Sequence, residues 1–599
     1  MIAPIFRRFR LITITIAACL GLAAGWAVLE LTEPPGPGLD PDAMQYLSAG
    51  ASLAHTGELR VPLAPWDSPD TTAALAHFPP GFPATISLGV AAGLTPQNSA
   101  RLVEAIGAAI TTIALLLAAA EGGSLLGGLL GVLFLAVSPA MVIVHGSVLS
   151  EPLFLALFTC FVWQLARPRG APGRTAALGL LGAAAALVRY AGASLIGAAL
   201  LDAWIGDMWM GGADTRERPS LIERTRRSLL AMVLPVAALG AWALSRPKTS
   251  GAQIRHVAFY SDGLGATLTE GAQTIGHWFA PGEDLAAAGW VLAVAVMMAL
   301  MALVLRDLRT VFAGVWSTSA SMSTTASAGG SAATIASASA PASPVSAQRL
   351  LRALAITKVT YLGLVGTSRL FADGDIPLDE RMLAPIFVIG SLGVGVMLVR
   401  WWFVASRGLL LLTLGITASW VVASVKETAN WVNIYREDGG DFASREWVLS
   451  PIVEYAGALP GGSIIYSNWP SAIWFHKQRA VHKLPEVLTP KIAADFRAKL
   501  AREHGSLLAF HVRTTDAASP DSLAMMAGLV PVQWWSDGVL WRAPEDAVPR
   551  SAVPRSAVPR SAVPRSAVPR SAVPRPAVPR PAVPRPAAPS GAAPHKRPK

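Results

Sequence analysis

The sequence predicts an all-α polytopic membrane protein, with about eleven transmembrane helices and a small α/β domain near the C-terminus. Hydrophobic residues make up 52% of the 599 residues, and charged residues only 15%. A soluble globular domain usually carries about 25% charged residues. Apolar runs of about 20 residues, each long enough to cross a bilayer, recur along the chain. Composition and run length therefore place most of the chain in a membrane.

The apolar runs define the predicted spans, the first of which follows the basic stretch FRRFR (6–10). The break at Arg189-Tyr190 either separates two spans or interrupts one long helix, and we treat it as a separation. The predicted spans are about 11–30, 101–120, 124–144, 149–166, 175–188, 190–205, 229–245, 286–305, 353–368, 383–400 and 408–425.

Charge in the loops predicts the orientation of these spans. With a cytoplasmic N-terminus, the arginine-rich loops all fall on the cytoplasmic side, as the positive-inside rule requires. The first outer loop, 32–100, instead collects acids, with Arg60 as the opposing base; the acids are Glu33, Asp40, Asp42, Glu58, Asp67 and Asp70. We therefore expect a multi-pass protein of a bacterial inner (plasma) membrane whose C-terminus is periplasmic.

Segments of different composition follow or interrupt the transmembrane domain, which we place at residues 1–425. Residues 317–347 are rich in Ser, Ala and Thr without periodicity, which predicts a disordered cytoplasmic linker. Residues 426–545 contain GGSIIYSNWPSAIWFH, SLLAFHV and VQWWSDGVLWRA. These stretches predict strands, a short helix and a hairpin of a periplasmic α/β domain. Residues 546–599 repeat SAVPR five times and PAVPR twice, and so much proline predicts a disordered tail.

The tail also explains the net charge of +11. Residues 550–599 hold eleven Lys and Arg and no acid, so the rest of the chain has 38 basic and 38 acidic residues. A basic patch that could bind nucleic acid is therefore not expected in the folded part. The tail is either an electrostatic tether to anionic polymers or lipid headgroups, or a repeat without a function of its own.

A set of polar residues is predicted to meet on the outer face. Asp40 and Asp42 follow the first span, and a carboxylate there could accept a proton from a hydroxyl as a general base. The segment AHFPPGFPATISLG (76–89) predicts a kinked interfacial segment, anchored by Trp66, Phe78 and Phe82. Arginines in the later outer loops suit a phosphate group. The other candidates for substrate binding are Tyr46, His77, Glu151, Arg189, His256, Arg369 and Arg381.

Each of these residues also has a purely structural interpretation. Ser150-Glu151-Pro152 is a favourable helix start, with Ser150 as its cap. Arg189 and Arg381 could extend to lipid headgroups. The histidines are more typical of interfacial polar residues than of metal ligands, and Asp40-Pro41-Asp42 could be a turn.

The sequence contains no Walker loop and no dinucleotide-binding fingerprint. An activated donor that acts outside the cell must then be linked to a lipid. Acids that face arginines beside a lipid-accessible interface would suit a reaction on such a lipid-linked anion.

Five motifs in order resemble the GT-C superfamily of integral membrane glycosyltransferases. The closest group uses polyprenyl-phosphate or dolichyl-phosphate sugars and includes protein O-mannosyltransferases, the lipid A aminoarabinose transferase and Rgt-like lipopolysaccharide-core transferases. The motifs are DPDAMQYLSAGASLAHTG (40–57), FPPGFP (78–83), LSEPLFLALF (149–158), LVRYAG (187–192) and DERMLAPIF (379–387). The resemblance covers roughly residues 1–425.

This resemblance implies that Asp42, four residues before Tyr46, is the catalytic base. Asp40 is an extra acid, which could instead hold a divalent cation together with Asp42. Glu151 would orient the acceptor or the loop. The expected reaction transfers a hexose or pentose to a cell-envelope glycan, lipid or protein, with inversion.

The resemblance also implies that arginine holds the phosphate of the carrier. Arg381 is the first candidate, and Arg369 and Arg189 are the others. A transporter or flippase for lipid-linked saccharides is the alternative. It predicts charges near the bilayer midplane and internal repeats, whereas the charges here cluster at one face. A non-catalytic envelope scaffold would instead need the tail and not Asp42.

Overall fold

The computed structural model describes residues 2–209, 220–245, 259–260, 263–281, 344–374, 376–403, 405–511 and 519–546. The predicted span 286–305, the tail beyond 546 and most of the predicted linker lie outside these residues. Helix dominates the N-terminal part of the chain. The first nine helices are α1 (Ile2–Leu31), α2 (Pro41–Thr56), α3 (Gly81–Ala91), α4 (Pro96–Glu121), α5 (Leu125–Ala136), α6 (Pro139–Gly146), α7 (Glu151–Ala166), α8 (Arg174–Val188) and α9 (Ser194–Trp209).

Five further helices follow in the described part of the chain, before the C-terminal domain. They are α10 (Leu221–Ser245), α11 (Leu264–Phe279), α12 (Pro344–Phe371), α13 (Glu380–Trp402) and α14 (Arg407–Glu437). Helix α14 runs through residue 425, where the predicted transmembrane domain ends. Helix α12 begins at Pro344, so the last four residues of the predicted disordered linker are helical, which corrects that prediction. Proline is well suited to the first turn of a helix.

Among the described residues, six helices are long and apolar enough to cross a membrane, which makes this a multi-pass membrane protein. They are α1 from Arg10, α4, α10, α12 from Ser346, α13 and α14, and each contains one predicted span. The predicted spans 149–166 and 175–188 correspond to the shorter apolar helices α7 and α8. Eleven spans therefore remain a prediction.

The predicted span 124–144 is broken, because α5 and α6 meet at an angle of 67°. Ser138, which precedes Pro139, is extended at φ −92° and ψ 124°. A residue before proline is sterically driven out of the helical conformation, which explains the break. The carbonyl of Val137 at this bend accepts a hydrogen bond from the Thr428 hydroxyl at 2.9 Å.

The C-terminal part of the chain forms a five-stranded mixed sheet with short helices. Its strands are β3 (Ile465–Ser467), β4 (His482–Lys483), β5 (Ser506–Phe510), β6 (Val530–Trp535) and β7 (Gly538–Arg542), which follow β1 (Arg60–Val61) and β2 (Ala73–Ala74) in the first loop. The order is β4-β3-β5-β7-β6. β3 is parallel to β4 and β5, and β7 is antiparallel to β5 and β6. The helices are α15 (Arg445–Val448), α16 (Pro451–Ala458), α17 (Pro470–Lys477), α18 (Pro490–Arg502) and α19 (Pro520–Met526).

One hydrophobic core joins the first outer loop to this sheet. It contains Leu47 of α2, Phe82 of α3, Trp447 of α15 and Leu508 of β5, all buried. Phe82 is fully buried, and the Trp66 ring lies 6.0 Å from that of Phe496 in α18. The prediction that Phe82 anchors an interfacial segment is therefore wrong, because its ring lies in the protein core, whereas Trp66 is half-buried beside Phe496.

A buried ionic cluster lies among α8, α9 and α12. Asp202 of α9 binds Arg174 at 2.8 Å, Arg352 at 3.1 Å and Arg169 at 3.6 Å, all with side chains at most 7% exposed. Arg174 also donates to the carbonyl groups of Gln164 and Leu165. One carboxylate thus connects three segments of the helical bundle.

We expect Asp202→Asn to lower the free energy of unfolding by about 3–5 kcal/mol, because buried arginines would lose their counter-charge. Denaturant unfolding in detergent micelles measures this loss. Glu223→Gln is the control, since Glu223 binds Arg226 and Arg227 where its side chain is 33% exposed. Exposed pairs contribute about 0–1 kcal/mol, so equal losses in the two variants would contradict the cluster's structural role.

Candidate active site

Helix α2 begins at the two acids of the first outer loop. Asp40 is the N-cap, and its Oδ1 accepts the backbone N–H of Ala43 at 2.8 Å. Pro41 occupies the first helical position, which is a favourable start. Gly57 ends the helix at φ +76°, in the left-handed conformation that glycine adopts without steric cost. Asp42 therefore lies in the first turn, and Tyr46 lies one turn later on the same face.

Gly38 and Leu39, just before Asp40, are hydrogen-bonded to two other segments of the chain. Gly38 donates to the Gly146 carbonyl and accepts from the Val148 N–H, both at 2.8 Å. Leu39 donates to the Gly440 carbonyl at 3.2 Å and accepts from the Phe442 N–H at 3.1 Å. These bonds fix the acid-bearing loop between the start of α7 and the end of α14.

Gly38 is required by this close approach. A Cβ atom added there would lie 2.3 Å from the Ser147 hydroxyl oxygen and 3.2 Å from the Tyr435 ring. The Ser147 and Tyr435 hydroxyl groups are themselves 3.1 Å apart in a hydrogen bond. The loop can thus pack against α14 only without a side chain at this position.

Arg381 connects three carboxylates. Its Nε lies 3.0 Å from Oε1 of Glu151, its Nη1 2.9 Å from Oδ2 of Asp40, and its Nη2 3.2 Å from Oδ2 of Asp42. Asp379 caps helix α13 by accepting the Met382 N–H at 2.8 Å, which fixes the first turn that carries Arg381. One guanidinium therefore joins the first outer loop, α7 and α13.

A second arginine lies deeper in the same cluster. Arg189 Nη1 is 2.5 Å from Glu151 Oε1 and 3.2 Å from the Ser150 hydroxyl. That hydroxyl lies 3.4 Å from the Tyr46 hydroxyl and 3.3 Å from Glu151 Oε2. Glu151 thus binds both arginines, and burial raises the pKa of the Tyr46 phenol, which keeps it a neutral hydroxyl.

Exposure increases across the cluster towards Asp42. The side chains of Glu151, Asp40, Arg381 and Asp42 are 3%, 17%, 29% and 34% exposed. Burial, and then the charge of Asp42, raise the pKa of Asp40 to about 7. Asp42 is therefore the carboxylate that a molecule from solution can reach most easily, while Asp40 is a proton-binding group beside it.

The other predicted site residues lie elsewhere or outside the described chain. The His77 ring packs 4.6 Å from Phe78, whose ring is 4.7 Å from that of Tyr46. Arg369 donates to the Thr267 hydroxyl of α11, at 3.0 Å from Nη2. His256 lies outside the described residues.

The sequence predicts two further features of this region: a helix cap at Ser150 and a possible metal pair formed by Asp40 and Asp42. Ser150 makes no side-chain capping hydrogen bond to α7, because its hydroxyl is used by Arg189 and Tyr46. Arg381 binds Oδ2 of both acids. Among the described residues, no group of three or more His, Cys, Asp or Glu could hold a metal ion.

Two contributors to the site lacked a clear sequence signal. The Ser-Glu-Pro start of α7 is as typical of a helix cap at Ser150 as of a site residue. Asp379 was one of several acids in an outer loop, and its capping role depends on where α13 begins. A Ser or Asp before a helix can cap it or bind another segment, and only the tertiary structure decides which.

No protein-family model matches this chain, and no curated protein matches it. Among solved structures it is similar to ArnT from Cupriavidus metallidurans bound to undecaprenyl phosphate. The two are 13% identical, with 90% of this chain and 99% of that chain covered and a TM-score of 0.47.

Two other solved structures show a weaker likeness. One is oligosaccharyltransferase AglB from Archaeoglobus fulgidus, in complex with an inhibitory peptide and a dolichol-phosphate. It is 11% identical to this chain, the match covers 79% of this chain and 64% of that chain, and the TM-score is 0.40. Arabinofuranosyltransferase AftD from Mycobacteria is 15% identical, covers 88% and 40%, and has a TM-score of 0.39. With TM-scores below 0.5, these likenesses carry no argument about the activity of this chain.

We expect Glu151→Gln to destabilise the protein by about 3–5 kcal/mol, because two partly buried guanidinium groups would lose the buried carboxylate that they share. Denaturant unfolding in detergent measures the loss. Glu454→Gln is the matched control, since Glu454 binds Lys477 at 2.6 Å with its side chain 78% exposed. A loss in Glu151→Gln no larger than in the control would contradict a central role for Glu151 in this cluster.

Proposed function

We propose that the chain is a GT-C-type membrane glycosyltransferase. It transfers a sugar from a polyprenyl-phosphate donor to a hydroxyl of a cell-envelope glycolipid, polysaccharide or protein, with inversion at the anomeric carbon. The reaction takes place on the periplasmic face of a bacterial inner membrane, with the N-terminus in the cytoplasm. The residues that act on the substrates are Asp42 and Arg381.

One observation carries this proposal: acids from the first outer loop meet Arg381 at the end of a membrane-spanning helix. Arg381 is the second residue of α13, so its guanidinium lies at a bilayer boundary, where the phosphate of a lipid carrier also lies. Asp42 is next to it and one third exposed. A proton acceptor and a phosphate-binding group are therefore adjacent at the depth where lipid meets water.

Asp42 is the general base. Its carboxylate takes the proton from the acceptor hydroxyl while that oxygen attacks the anomeric carbon of the donor sugar. The bond between the anomeric carbon and the phosphate oxygen breaks, and its electron pair leaves with the polyprenyl phosphate. A single displacement of this kind inverts the configuration at the anomeric carbon.

Arg381 binds the phosphate that leaves. A guanidinium has five N–H groups, and the three carboxylates engage one N–H on each nitrogen of Arg381. Each Nη nitrogen therefore has a second N–H that can donate to phosphate oxygens. Charged N–H donors stabilise the negative charge that develops on the leaving phosphate.

The charge of the cluster matters for an anionic donor. Three carboxylates, Asp40, Asp42 and Glu151, face two guanidinium groups, Arg189 and Arg381. If all three acids were ionised, the cluster would be negative and would repel a phosphate. A proton on Asp40 makes the cluster neutral, and the pKa of about 7 for Asp40 permits this at physiological pH.

Asp42→Asn is expected to reduce sugar transfer by about a hundredfold to ten-thousandfold, because an amide cannot accept the proton of the acceptor hydroxyl. Mass spectrometry measures transfer by reconstituted protein with the polar lipid extract of the native host, as a hexose or pentose mass moved from a polyprenyl phosphate.

Asp70→Asn is the control for this variant, since Asp70 is an exposed acid of the same loop and should keep full activity. Equal activity of the wild type and Asp42→Asn would rule out Asp42 as the base. If the wild type transfers no sugar although an active donor is present, the protein is not a glycosyltransferase, and lipid transport becomes the function to test.

We also expect donor binding to weaken as the pH rises through about 7. Ionisation of Asp40 adds a negative charge beside the donor phosphate, so the donor KM should increase between about pH 6 and pH 8. Asp40→Asn preserves the helix cap and removes this ionisation, so its donor KM should stay constant over that interval. An increase of the same size in both proteins would show that another group is responsible.

A further inference from the structure

Glu104 is a carboxyl group buried inside the membrane domain, in the apolar helix α4. Its side chain is fully buried. Oε1 accepts the backbone N–H of Leu149 at 3.0 Å. Oε2 is also buried and has no hydrogen-bond partner among the described residues. Burying a carboxyl with so few partners costs free energy, so its presence requires an explanation.

The hydrogen bond of Glu104 leads directly to the cluster of acids and arginines. Leu149 is followed by Ser150, which contacts Arg189 and Tyr46, and by Glu151, which binds both arginines. Leu149 directly precedes Ser150, the N-cap residue of α7. Glu104 therefore supplies an acceptor at the entrance to α7.

Helix α4 is also close enough to α7 to hold this turn in place. A Cβ atom added at Gly107, one turn after Glu104, would lie 2.7 Å from the carbonyl oxygen of Pro152. The backbone of the two helices is therefore in direct contact beside the hydrogen bond. A change at residue 104 would be transmitted to Leu149 and Glu151, because little space is left to absorb it.

We propose that Glu104 is a positioning residue that fixes the Leu149–Glu151 turn and thereby aligns Glu151 with Arg189 and Arg381. This inference rests on the proposed transfer reaction, but it concerns a residue that touches neither substrate. Glu104 acts through an acceptor oxygen, so a glutamine can replace it and an apolar side chain cannot.

The test compares Glu104→Leu with Glu104→Gln in the reconstituted transfer assay. We expect kcat to fall about tenfold or more in Glu104→Leu, and to stay within about twofold of the wild type in Glu104→Gln. Thr111→Val is the matched control, since Thr111 is a buried residue of the same helix whose hydroxyl has no partner among the described residues. It should keep wild-type kcat.

Hydrogen exchange provides a readout that does not depend on activity. The amide of Leu149 should exchange at least tenfold faster in Glu104→Leu than in the wild type, and Glu104→Gln should restore protection. Wild-type protection in Glu104→Leu, or the same loss of kcat in both variants, would overturn the inference. If the wild type transfers no sugar, the proposed function fails while the exchange experiment still tests Glu104.

Discussion

The contact of Arg381 with three carboxylates determines the arrangement of the whole site. Asp40 and Asp42 come from the loop after α1, Glu151 begins α7, and Arg381 begins α13. No two of these three segments are adjacent in sequence. The partly buried guanidinium of Arg381 can contact all three acids only if the three segments bring these side chains to one place. A partly buried charge that lost its partners would destabilise the fold. The ionic contact thus fixes the register of the helices and places the reactive groups.

The C-terminal domain also helps to hold the loop that carries Asp40 and Asp42 in place. The residues before Asp40 pair with the residues that follow α14, and a shared hydrophobic core joins α2 and α3 to the sheet. The loop with the acids is therefore packed between the membrane helices and the C-terminal domain. An acceptor that contacts this domain would lie close to Asp42, the most exposed carboxylate of the cluster.

The sequence predicted the membrane class, most of the long helices and the convergence of Asp40, Asp42, Tyr46, Glu151, Arg189 and Arg381. Those predictions depended on run length, loop charge and helix-start patterns, which are local. The break at Ser138 was missed although Pro139 gives a local reason for it, because the apolar run continues through the bend. The hairpin near Asp537 was visible because two strand-like runs flank a turn that contains Gly538.

Tertiary contacts decided the remaining assignments. Phe82 packs in the protein core and Trp66 is half-buried against Phe496, because the C-terminal domain packs against a loop that the sequence placed at the lipid surface. Arg381 contacts three acids, and these partners come from segments more than 200 residues away. The role of Glu104 depends on the contact between α4 and α7. A local sequence pattern does not show which segments, far apart in the chain, come into contact.

Phosphorus NMR of a short-chain polyprenyl phosphate, titrated into the protein in lipid nanodiscs, tests the central claim most directly. If Arg381 binds the carrier phosphate beside Asp42, the phosphorus resonance shifts on addition of the wild type and stays at the free position with folded Arg381→Gln. The same shift with both proteins would mean that the phosphate binds elsewhere, and the proposed geometry of transfer would be contradicted.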